Sequence, residues 1–157
     1  MTENGLIALS GLINGIGERI NPTEFGKYVV FALSGKDDEC AKLACGIVSD
    51  LANALRQNIQ QYLLDFVPNL IAILKDQSHT REAKLAAIVA LGDLAMNAGE
   101  SFCVQFLPDV LKILESASQK SLTYVRESDD EDLARYLTHL RETLVECYTT
   151  IVHGVND

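Results

Sequence analysis

Leu64 to Leu74 reads Leu-Asp-Phe-Val-Pro-Asn-Leu-Ile-Ala-Ile-Leu, and Leu107 to Leu114 reads Leu-Pro-Asp-Val-Leu-Lys-Ile-Leu. Pro68 and Pro108 align across the two phrases, 40 positions apart. A second echo pairs Gly46-Ile47-Val48-Ser49-Asp50-Leu51 with Val89-Ala90-Leu91-Gly92-Asp93-Leu94, 43 positions apart. An apolar helix pair recurring at this period is the signature of a HEAT or armadillo solenoid. Each unit leaves an apolar face that only a neighbouring unit can cover, so the chain is expected to build an elongated surface for other macromolecules. A catalytic pocket is not expected.

Composition agrees with a folded helical array. Residues of apolar type make up 48% of the 157, charged ones 22% and aromatic ones only 6%. Small side chains such as Ala44, Ala86, Ala87, Ala90 and Ala95 fill much of the apolar pattern, which lets helices approach closely. The formal charge is -9, and no run of Lys and Arg offers the phosphate neutralisation that nucleic acid needs. The acid excess favours basic protein partners, or serves solubility alone. Cys40, Cys45, Cys103 and Cys147 lack the spacing of a zinc site and read as small buried hydrophobes of a reducing compartment. The N-terminus lacks the pattern of a secretion signal, and no apolar run is long enough to predict a membrane-spanning helix.

The apolar periodicity predicts seven helices. Residues 2–19 form the first, weakened by Gly5, Gly11, Gly15 and Gly17. The others are expected at 22–33, 38–56, 59–75, 81–98, 101–117 and 130–152, with Pro68 and Pro108 bending two of them. Thr80, in competition with Ser78, is placed to cap the fifth helix, and Gly99 to end it. One segment spans 1–157: an unpaired helix at 1–20, then pairs at 21–57, 58–99 and 100–157, the last with an acidic inter-helix stretch at about 119–132. An unpaired first helix without a polar capping unit suggests a piece of a longer superhelix.

No catalytic signal competes with this reading. His79, His139 and His153 do not fit a His-Glu-X-X-His metal helix, no serine sits in Gly-X-Ser-X-Gly, and Gly11, Gly15 and Gly17 form no phosphate loop. The Glu127 to Asp132 stretch lacks the ligand alternation of an EF-hand. No enzyme activity, metal or cofactor is expected. Asp50 and Asp93 share a repeat position and suit polar contacts between neighbouring helices, with direct ligand contact as the alternative.

The chain resembles the importin-beta family, in a segment from the C-terminal half of these HEAT-repeat nuclear transport receptors. The phrases that carry the resemblance are Leu43 to Leu51, Ala54 to Ile59, Gly92 to Ala95, Gly99 to Phe102, Leu114 to Gln119, Tyr136 to Glu142 and Glu146 to Val155, in order along nearly the whole chain. The resemblance implies an all-α HEAT-repeat α-solenoid, with antiparallel helix pairs in a right-handed superhelix. It implies transport between cytoplasm and nucleus through the pore, without membrane insertion. Phe-Gly nucleoporins would bind in grooves between outer helices, with Tyr62, Phe66, Leu70, Phe102, Phe106 and Val110 as candidate walls or as core. An importin-alpha-type basic adaptor or a cargo protein would meet an acidic concave face, for which Asp129, Asp130, Glu131, Asp132, Glu142 and Glu146 are candidates or ordinary solvated acids. Ran GTPase is implied as a partner of the full-length receptor. The alternative is a generic HEAT scaffold with no pore binding.

Overall fold

The computed structural model describes residues 2–123 and 130–156. Seven α-helices follow one another there: α1 (Glu3–Ile16), α2 (Gly26–Leu33), α3 (Asp38–Leu55), α4 (Leu63–Lys75), α5 (Arg81–Ala98), α6 (Glu100–Thr123) and α7 (Glu131–Asn156). Short 3-10 turns at Gly17–Arg19 and Arg56–Tyr62 join the first repeats. The odd-numbered helices pack side by side in one layer, α1 on α3, α3 on α5 and α5 on α7. The even-numbered helices form a second layer, α2 beside α4 and α4 beside α6. Within each pair α2 packs on α3, α4 on α5 and α6 on α7. This two-layer stack of helical hairpins is a HEAT-type solenoid.

The cores of the pairs merge into one elongated interior. Ile47, Val48 and Leu51 of α3, Phe66 and Leu70 of α4, Leu91 and Leu94 of α5, and Phe102 and Leu114 of α6 are all buried. Burying a side chain of this size contributes on the order of 2 kcal/mol, so each interlayer seam is held chiefly by apolar area. Caps then set the helix starts. The Thr2, Asp37 and Thr80 side chains accept from the backbone N–H of Gly5, Cys40 and Ala83. Asp130 does the same for α7, accepting from Asp132 N and Leu133 N at 3.0 and 3.1 Å. Each such cap satisfies donors that the first helical turn leaves free.

Three of the expected boundaries that move do so for a local reason. The second helix starts at Gly26 rather than at residue 22, because the Asn21 side chain accepts from both Thr23 N and Thr23 Oγ1. Such a side-chain turn offers the backbone an alternative to the helix. The helix expected from residue 59 starts only at Leu63, after the 3-10 turn that buries Ile59. The sixth helix continues past residue 117 to Thr123, shortening the expected linker. Ser118 Oγ donates to Leu114 O and Ser121 Oγ to Ser118 O, so the serine-rich end satisfies its hydroxyls on its own turns. Arg141 Nη2 then donates to the Ser121 carbonyl at 2.8 Å, tying α6 to α7.

The first three odd-numbered helices end in one shared conformation. Gly17 has φ 60° and ψ -134°, Arg56 φ 50° and ψ -129°, and Gly99 φ 55° and ψ -128°. Glycine enters this region freely, whereas a residue with a Cβ is strained there by about 1–3 kcal/mol. Arg56 gains little in return, since its Nε lies 3.6 Å from Glu18 Oε1 and both side chains are 75% exposed. Arg56→Gly is therefore expected to stabilise the chain by about 1 kcal/mol after the added unfolded-state freedom of glycine is subtracted. A chemical-denaturation midpoint at or below that of the parent would refute the strain.

Candidate protein-interaction surfaces

Hydrogen bonds between successive repeats show how the surfaces are held in register. Ser10 Oγ donates to Asp50 Oδ2 at 2.7 Å, linking α1 to α3. Asn97 Nδ2 donates to Asn53 Oδ1 at 3.2 Å, linking α3 to α5. His79 Nδ1 meets Asp38 Oδ1 at 2.7 Å along one edge, and Ser101 Oγ donates to Gln60 Oε1 at 2.9 Å in the even-numbered layer. The partners lie 40, 44, 41 and 41 residues apart, so the sequence period reappears as contact between equivalent places.

The two repeat aspartates sit inside this ladder. Asp50 takes the Ser10 hydroxyl, and Asp93 takes that of Ser49. Burial pushes the Asp93 carboxyl above the ordinary range, the Ser49 hydrogen bond opposes that shift, and the Asp50 charge adds to it. A carboxyl raised in the folded state binds its proton more tightly than the unfolded chain does. Its ionisation therefore weighs against folding at neutral pH, and that cost fades as pH falls. The His79 hydrogen bond acts oppositely on Asp38, holding its carboxyl low despite some burial. That contribution to stability is present above the unfolded carboxyl range and is lost as pH falls through the lowered value.

The acidic candidates sit mainly on α7. Glu131, Asp132, Glu142 and Glu146 are exposed, whereas Asp130 spends one oxygen on the helix cap. Asp132 lies 3.7 Å from Arg135, and neither Glu142 nor Glu146 makes an ion pair among the described residues. Asp129 lies outside the described residues. The face that continues these acids across α5 carries Val89 and Met96, 44% and 46% exposed, beside Asp93.

The six aromatic and apolar candidates divide by burial. Phe66, Leu70, Phe102 and Val110 are at most 1% exposed and fill the interlayer core. Tyr62 and Phe106 are half-buried and pack against that core. Each half-buried ring leans on a buried one, Tyr62 on Phe66 at 6.2 Å between centroids and Phe106 on Phe102 at 6.1 Å. Periodicity assigns all six to one apolar stripe but does not distinguish its floor from its rim. Leu64 and Val104, 72% and 75% exposed on α4 and α6, are reachable apolar groups that stripe reasoning missed. Pro68 and Pro108 stand on the solvent side of the same helices, inside them but away from the core. There a proline frees the carbonyl four residues back, and water can satisfy it.

The cysteines add no reactive centre. Burial pushes the Cys45 and Cys147 thiols up to about 12, so both stay protonated and inert. Among the described residues no group of three or more His, Cys, Asp or Glu is arranged to hold a metal ion. No helix of these residues is long and apolar enough to cross a membrane.

The chain matches, over residues 1–157, the family described as "Importin subunit beta-1-like, TPR repeats". It belongs to that family. Units of the TPR type run to about 34 residues and HEAT units to about 40–47, and the contact spacing here falls in the second range. Among importin subunit beta-1 proteins, the chain is 26% identical over 153 residues to that of Saccharomyces cerevisiae, covering 96% of this chain and 17% of that protein. It is 28% identical over 156 residues to that of Schizosaccharomyces pombe, covering 98% of this chain and 18% of that protein. The chain thus spans less than a fifth of the length of the importin subunit beta-1 proteins it matches.

Solved importin-beta structures share the fold. A Kap95p structure, in which Kap95p binding induces the switch loops of RanGDP to adopt the GTP-bound conformation, superposes with a TM-score of 0.88 at 24% identity, over 99% of this chain and 18% of that one. The Kap95:Nup1 complex gives 0.83 at 23% identity, over 97% and 17%. The family match and the solved structures thus agree with the helical-hairpin geometry on one fold.

Proposed function

We propose that the chain is a protein-interaction segment of a nuclear import receptor, working at the pore between cytoplasm and nucleus. Phe-Gly nucleoporin repeats dock on the even-numbered layer, and cargo or a basic importin-alpha-type adaptor meets the acidic odd-numbered layer. The family match along the whole chain carries this reading. Close packing within the odd-numbered layer, where Gly154 of α7 meets the Ala95 backbone of α5, suits an inner side on that layer. Tyr62 and Phe106 then offer half-buried rings on the even-numbered layer, each leaning on Phe66 or Phe102. Ran GTPase enters as a partner of the full-length receptor.

Each slot would bind weakly. A buried phenylalanine ring contributes on the order of 2 kcal/mol before the costs of association, so several slots in series would supply avidity without long residence. The burial of four of the six candidate residues favours a second reading, a HEAT scaffold without pore binding. NMR titration with a Phe-Gly peptide and its Phe-to-Ser control separates the two. Shifts that require the phenylalanine and disappear in Phe106→Ser are expected, with the fold retained by circular dichroism. Equal responses to both peptides, or none, would leave the scaffold reading standing.

A further inference from the structure

We infer that a basic-rimmed apolar cleft between the last two repeats is a docking site for an acidic peptide segment that carries a bulky apolar anchor. This site uses other residues than the candidates proposed above and does not depend on them. The cleft, about 540 Å³ in volume, opens where the second half of α6 and the first half of α7 stand away from the α4–α5 turn. Its rim carries Lys75, Arg81, Lys84, Lys112 and Lys120, five of the 13 basic residues of the chain. No carboxylate lines it among the described residues, although the chain holds 22 acidic residues. In sequence these five cations are scattered and give no basic run. The fold alone brings them together.

Few close ion pairs take up these cations, although Asp76 feels the charge of Lys84. Lys75, Lys84 and Lys120 make no ion pair among the described residues, and Lys112 reaches Asp109 only at 3.9 Å with both side chains mostly exposed. Like charges gathered on one rim repel one another, and a bound anion relieves that repulsion. Below the rim the lining turns apolar, with Leu74, Ile88, Leu114, Leu133, Leu137 and Leu140. Arg141 ties the Ser121 carbonyl at the end of the cleft to α7.

The two halves of the site choose the occupant. Carboxylates flanking a Leu or Phe would meet the rim while the apolar side chain fills the floor. A nucleic acid strand would satisfy the rim but needs aromatic faces for its bases. Among the described residues the one aromatic that lines the cleft, Tyr136, already has Arg81 over its ring at 5.0 Å. An acidic peptide is the opposite in charge of the basic adaptor expected on the odd-numbered face, so the two would not compete for one surface.

Fluorescence anisotropy on the 157-residue chain tests the inference. The probe is a labelled peptide of alternating Asp and Glu around a central Leu-Phe pair. Its controls are the same peptide with Asn and Gln for the acids, the same peptide with Ser-Ser for Leu-Phe, and a single-stranded RNA of equal charge. Binding to the acidic Leu-Phe peptide is expected, weakened by added salt and at least about tenfold weaker in Lys84→Glu/Lys120→Glu. Both side chains sit on the cleft rim, and circular dichroism checks that the variant keeps its helices. Either peptide control is expected to bind at least about tenfold more weakly than the probe. Absence of probe binding would overturn the inference. So would indifference to the charge reversal or to either peptide control, or tighter binding of the RNA.

Discussion

Gly154→Ala is expected to lower the melting midpoint by roughly 6–12 °C, from a loss of about 3 kcal/mol at 2–4 °C per kcal/mol for a chain of this size. A Cβ at this position would stand 2.8 Å from the Ala95 carbonyl carbon and 2.9 Å from Met96 Cα, and still nearer the Ala95 carbonyl oxygen. All three atoms are backbone of α5, so no rotamer change makes room, and α7 must move off its neighbour. A Cβ on Gly92, on the other side of the same seam, would stand 2.6 Å from Thr150 Oγ1 and 3.4 Å from both Cys147 Cα and Cys147 Sγ. The Thr150 side chain can change rotamer at the loss of its bond to the Cys147 carbonyl, so Gly92→Ala is expected to cost less than Gly154→Ala, where only backbone is met. Gly46 in α3 has nothing within 4 Å, and alanine there should instead gain up to about 1 kcal/mol from helix propensity. The order Gly154 below Gly92 below Gly46 in thermal denaturation checks the close α5–α7 approach. A Gly154→Ala midpoint equal to the parent's would mean that the two helices do not meet as described.

That seam marks the limit of what periodicity reveals. Pro68 against Pro108 and Asp50 against Asp93 announced the repeat, and the same period returns in the Ser10–Asp50, Asp38–His79 and Gln60–Ser101 hydrogen bonds. The bounds of α5 were readable because Thr80 and Gly99 punctuate it with chemistry that is local in sequence. The 3-10 turn after α3 was not, since its cause is Arg56 in a conformation that glycine adopts at the two equivalent helix ends. The periodicity ends that helix at residue 56 and restarts it at 59, so the break is read but the turn up to Tyr62 is not. The interaction surfaces were the least legible. An apolar stripe wide enough to meet both layers includes Phe66 and Phe102, which the fold buries, and Tyr62 and Phe106, which it leaves at the edge. The basic cleft has no linear signature, because Lys75, Lys84, Lys112 and Lys120 come from three helices and share a rim only once α4, α5 and α6 are stacked.

Phe102→Ala is expected to cost about 3–5 kcal/mol, against a total stability on the order of 5–15 kcal/mol. The Phe102 side chain is fully buried near the start of α6, under the Phe106 ring, and its neighbour Ser101 bonds to Gln60 of the preceding repeat. Truncation would open a cavity in the interlayer core. Solenoid repeats touch mainly their nearest neighbours, so the damage should stay local. Amide hydrogen exchange in the variant should accelerate in α6 and α7 first, while α1 and α3 keep most of their protection. Phe106→Ala should behave differently, because a half-buried ring removed from the edge leaves the core beneath it closed. Its melting midpoint should fall by only a few degrees while Phe-Gly peptide binding weakens. A uniform rise in exchange from α1 to α7 in Phe102→Ala would mean that the chain unfolds as one compact bundle, since a linear array of hairpins has no route for so distant an effect.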